Sequence, residues 1–90
     1  MDFQVSEKTA SNGEVTIEVT VRGRGAHKFA VRSENVSFPQ AERVVNLPSD
    51  GSIRWQGQMI SRDMPWVAVV VPDGDLSQRQ EALGRPVERP

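Results

Sequence analysis

The chain has no cysteine and one histidine, His27. The first absence excludes disulfides and thiolate metal centres, and the second excludes a cage of several histidines around a metal. Long apolar runs are missing too: none approaches the roughly 20 residues that cross a bilayer as a helix. Neither sign of charge dominates. Eleven Lys and Arg stand against twelve Asp and Glu, a formal net charge of −1, so the basic excess of a nucleic-acid binder is lacking. Met1–Ala10 carries neither a basic start nor an apolar stretch, which argues against a signal peptide there. The chain then either works in the cytoplasm or belongs to a larger secreted protein. At 90 residues it suits one small domain and is too short for a dinucleotide-binding domain joined to a substrate domain.

Leu and Ile are scarce, at three each, but Val supplies 13 residues. β-Branched side chains fit a pleated surface, so the excess favours strands. Glu14–Arg22 shows strict alternation, with Val15, Ile17, Val19 and Val21 on one face. Phe3 and Val5 alternate with polar residues before it and suggest a first edge strand. Ala10–Gly13 reads as a turn. Gly23–Arg24–Gly25 is a second turn, read as a hairpin, and leads into Ala26–Val31, where Phe29 and Val31 face inward and His27 shares their parity. Arg43–Leu47 is a short strand that buries Val45 and Leu47, or else Val44. Ser52–Ile60 alternates again, with Ile53, Trp55, Gly57 and Met59 on one face. Trp66–Val71 is an unbroken apolar run, as in a strand covered on both faces.

Short strands joined by turn residues imply an all-β antiparallel sandwich of six to seven strands over residues 1–84. The expected core comprises Val15, Ile17, Val19, Val21, Phe29, Val31, Leu47, Ile53, Trp55, Val67, Val69 and Val71. Two readings compete for 76–83. Asp75 as N-cap, Gln78 three residues on, Leu76 and Leu83 seven apart, and Gly84 then Pro86 favour a short helix. Alternatively Asp73–Gly74 turns the chain into a last strand beside Trp66–Val71. Residues 85–90 read as a flexible tail or linker stub.

Few residues offer chemistry. Trp66, after Pro65 at a strand entrance, either joins the core or presents a sugar-stacking face, whereas the parity of Trp55 places it in the core. His27 is the one natural general base, but nothing sets a nucleophile beside it, so it reads as a strand-end residue with a backbone hydrogen bond. Arg22, Arg24, Lys28 and Arg32 form a local basic cluster around the glycine turn, open to phosphate or an acidic partner. Asp73 and Asp75 flank a turn without the spacing of a calcium loop. Asn35-Val36-Ser37 fits the glycosylation acceptor pattern. No cofactor and no metal is implied.

The strand of Glu14–Arg22, the turn at Gly25, Phe29, the core Trp55 and the apolar strand ending at Val67–Gly74 resemble an immunoglobulin-like or fibronectin-type-III-like sandwich. In their order they are also similar to the C-terminal accessory domains of secreted bacterial hydrolases of the phospholipase C type. The resemblance implies a non-catalytic module of a larger extracytoplasmic protein, monomeric, packing against or spacing a catalytic domain. The alternatives are a carbohydrate-binding module using Trp66, or a protein-interaction domain acting through a sheet edge or the turn at Arg22–Gly25. Trp66, Arg22, Arg24, His27 and Lys28 are then the candidate contact residues.

Overall fold

A computed structural model describes residues 2–87. Eight strands run in chain order as β1 (Asp2–Thr9), β2 (Glu14–Arg22), β3 (Gly25–Glu34), β4 (Val36–Ser37), β5 (Glu42–Leu47), β6 (Ser52–Met59), β7 (Trp66–Pro72) and β8 (Gln80–Gly84), with one 3-10 turn at Leu76–Gln78. They form two four-stranded antiparallel sheets, ordered β1-β2-β6-β4 and β5-β3-β7-β8. No helix among the described residues is long and apolar enough to cross a membrane.

The period-2 pattern of the sequence becomes the core. Val15, Ile17, Val19 and Val21 are buried on β2, and Ile53, Trp55 and Met59 on β6, the register pairing Ile17 with Trp55 and Val19 with Ile53. From the other sheet come Phe29 and Val31, Val45 and Leu47, then Trp66, Ala68 and Val70. Phe3 meets Phe29 edge to face, ring centroids 5.5 Å apart, across the two sheets. Val45 rather than Val44 faces inward, leaving Val44 60% exposed.

Three expectations change. The turn at Gly23–Gly25 is not a hairpin: β2 pairs with β1 and β6, β3 with β5 and β7. It carries the chain from one sheet to the other, through φ of 144° at Gly23 and 90° at Gly25, which glycine alone adopts without strain. On β7 the core side is taken by Trp66, Ala68 and Val70, not by Val67 and Val69, which lie on the outer face; Val71 is buried but stands outside the core cluster. In a run of six apolar residues parity is invisible to composition, and Trp66, the largest, claims the interior. The helix over 76–83 is replaced by the competing strand. Asp75 does cap the chain, accepting from Ser77 N (3.0 Å) and Gln78 Nε2 (2.8 Å), but for one 3-10 turn only. Arg79 is then extended, and 80–84 pairs with β7. A helix would have left the backbone groups along the buried Trp66–Val70 edge unpaired.

Trp66 lies across from Gly84, where any Cβ would strike its indole. At Gly57 a Cβ would collide with the Ser37 carbonyl oxygen at 2.5 Å and with the Phe38 ring at 2.7 Å. Of the tail expected over 85–90, Val87 donates its N–H to Arg62 O at 2.8 Å and packs on the core, while 88–90 lie outside the described residues.

Candidate functional site

His27 sits on the core-facing row of β3 at the rim of the sandwich, its side chain 24% exposed. The turn after β7 brings Asp73 to it across 46 residues of sequence. Asp73 takes φ 48°, in the left-handed region, which short Asp side chains tolerate. Its N–H donates to Lys28 O at 2.6 Å, its Oδ1 accepts from Lys28 N at 2.9 Å, and its Oδ2 lies 2.8 Å from His27 Nδ1. His27 Nε2 lies 2.8 Å from Arg24 O. Both ring nitrogens thus face acceptors, and only the imidazolium satisfies both. The Asp73 carboxylate and then the Arg24 carbonyl raise the His27 pKa above 6.5. The His27 ring and then the Lys28 N–H lower Asp73 below 3.8. A histidine base must offer a nitrogen to a nucleophile; here the second nitrogen meets a backbone carbonyl. The pair works as a clamp between the β2–β3 crossing and the β7–β8 turn.

The basic cluster is only partly gathered. Lys28 pairs with Glu42 at 2.9 Å, both more than half exposed. Arg22 ends β2 in the other sheet, opposite Asp2, and the exposed Arg24 contributes its carbonyl to His27. Arg32 stands two residue pairs beyond Lys28, on the outer face of β3. Trp66 offers no stacking face: it is 0% exposed, and its Nε1 donates to Thr9 Oγ1 at 2.9 Å. That removes the sugar platform, because the strand entrance at Pro65 opens into the core. Among the described residues no three His, Cys, Asp or Glu converge on a possible metal position.

Several polar arrangements could not be read from spacing, because their partners are distant in sequence. Asn35, at φ 64°, accepts from Ser61 N at 2.8 Å through Oδ1, and its Nδ2 faces the carbonyls of Ser61, Met64 and Pro65 at 2.7 to 3.1 Å. The amide nitrogen that a glycan would take is therefore already committed to holding the β6–β7 loop. Arg43 Nη1 donates to Arg54 O at 2.6 Å, joining β5 to β6 across the two sheets.

The outer face of the second sheet carries the apolar surplus. The β7 column of Val67, Val69 and Val71 continues sideways to Ala30 on β3 and Leu83 on β8. Leu83 is 62% exposed, as is Leu76 in the adjoining turn at 58%. A depression of about 390 Å³ lies at the end of this column, floored by Ala30, Val71 and Leu76 and bordered by Lys28, Arg32 and Glu42. No protein-family model, curated protein or solved structure matches the chain.

Proposed function

We propose that the chain is a non-catalytic accessory β-sandwich module that packs its second sheet against a neighbouring domain of a larger protein. The observation that carries this reading is the valine column on the outer face of β7. Val67 and Val69, half-buried on the outer side of a central strand, run on to the buried Val71 and lie beside exposed Leu83 and Leu76; together they form an apolar strip of the kind that marks an interaction surface. The run read as covered on both faces is covered fully on one; on the other, Val67 and Val69 are only half-buried. A role without catalysis is favoured by the closed geometry of His27. The immunoglobulin or fibronectin-type-III kind of sandwich is favoured by the strand order, with strands 1-2-6 facing 3-7-8 as strands A-B-E face C-F-G in that fold.

The test is to charge the strip. Val67→Lys combined with Val69→Lys places both ammonium groups on the outer face without touching the core. The unmodified chain should bind a hydrophobic dye and self-associate weakly at millimolar concentration in sedimentation equilibrium. The double variant should lose both while melting within a few degrees of the parent. A parent chain that shows neither property refutes the reading.

A further inference from the structure

One long side of the sandwich is built differently from the rest. Strand β4 covers β6 only at Gln58 and Met59, so the edge of β6 at Arg54–Gln56 has no strand beside it. Facing it, in the other sheet, runs the edge strand β5. A cleft of about 190 Å³ opens between them, lined by Pro39, Gln40, Arg43, Arg54, Trp55 and Gln56. No acidic side chain lines it.

Two independent features of this cleft point to an anionic oxygen ligand. Trp55 is 3% exposed, and its Nε1 is the one buried side-chain nitrogen or oxygen without a hydrogen-bond partner among the described residues. A buried donor left without an acceptor is costly, and each such group in a folded protein calls for an explanation. The other indole of the chain is satisfied by Thr9, so the fold can supply partners where it needs them. The second feature is Arg43. Its guanidinium has five N–H donors, of which one is used on Arg54 O, and among the described residues it has no carboxylate within ion-pair distance. Arg54 adds positive charge while anchored to Glu18 at 3.1 Å.

We propose that this cleft binds a carboxylate group. A carboxylate is acceptor-only and planar. One oxygen takes the Trp55 N–H and the other the free edge of the Arg43 fork, whose spacing matches a carboxylate. The contact with Arg54 O orients Arg43 in advance, which reduces the side-chain ordering that binding requires. Pro39 and the indole supply an apolar wall for the carbon that bears the carboxylate. Nε1 lies beneath the surface, and the exposed side chain of Gln40 is the part of the wall that swings to admit the ligand. The carboxylate belongs either to a free organic acid or to the C-terminus of a peptide.

The experiment is a titration of the ¹⁵N-labelled chain followed through its two indole N–H signals, Trp66 serving as internal control. The probes are acetate, N-acetylglycine, a tripeptide with a free C-terminus, the same tripeptide amidated, and inorganic phosphate. Binding predicts a saturable downfield movement of the Trp55 signal with the carboxylates and no movement of Trp66. Arg43→Gln, which leaves the exposed fold of β5 intact as judged by signal dispersion, should weaken the effect about tenfold or more. A tripeptide that binds much more tightly than acetate or N-acetylglycine identifies a chain terminus as the source; equal affinities identify a free acid. A stationary Trp55 signal overturns the proposal. So does a movement produced equally by the amidated tripeptide or by phosphate, or one unchanged in Arg43→Gln.

Discussion

His27 owes its position to two acceptors rather than to burial, and this fixes the sign of its pH response. Its folded pKa is raised above 6.5, so the stability it contributes is fully present below pH 6.5 and is lost as pH rises through the raised value. Asp73 behaves in the opposite sense. Its pKa is depressed below 3.8, so its contribution is present above pH 3.8 and is lost as pH falls through the lowered value. Between these limits both act together. The melting temperature of the parent should therefore exceed that of His27→Gln most within that window, and the gap should narrow towards pH 8.5. In an NMR titration His27 should titrate above 6.5 in the parent and move back towards 6.5 in Asp73→Asn. A parent value at or below 6.5 rules the clamp out. The parity of His27 with Phe29 and Val31 was readable in the sequence, and so was its backbone hydrogen bond. Its carboxylate was not, because Asp73 reaches it through the topology of β3 and β7.

Among the elements, β7 separates what pattern reveals from what it conceals. On β2 and β6 polar residues mark the wet face, and Val15 to Val21, Ile53 and Trp55 fell on the buried side as the alternation implied. On β7 nothing polar marks either face; with Trp66 turned inward, the register sets Val70 beside Val31 of β3 and Ala68 beside Ala82 of β8 on the core side. The two faces can be told apart with one pair of substitutions. Val→Thr keeps shape but adds a hydroxyl, so Val70→Thr should cost about 1–3 kcal/mol for a buried unpaired group, whereas Val69→Thr should stay within about 0.5 kcal/mol. Denaturant unfolding of the two variants checks this, and equal costs would contradict the assigned parity. β8 itself was legible as one of two alternatives. Local capping signals at Asp75 and Gln78 were genuine, but the unpaired edge of β7 is a non-local demand that a sequence window does not contain.

For the whole molecule, the two long sides of the sandwich differ. On one, β1 is tied across the sheets to β8 by Gln80 Nε2 on Phe3 O at 2.8 Å and to β7 by the Trp66–Thr9 bond. On the other, β4 has two residues and the link from Arg43 to Arg54 stands between β5 and β6. The sandwich-level architecture was legible because β1, β2, β3, β5, β6 and β7 each carried its own pattern, with β8 as one of two alternatives; β4 and the asymmetry between the sides were not, since they depend on where short strands pair and end. Its consequence is kinetic. The side held by the Gln80–Phe3 and Trp66–Thr9 bonds should act as the hinge, and local opening should begin along β5 and expose that strand well before global unfolding. Native-state hydrogen exchange should find the Val45 amide, on an edge strand, less protected than Ala82, on the edge strand opposite; the reverse order would refute the hinge. The same breathing motion sets the rate at which anything from solvent gains access to the Trp55 indole.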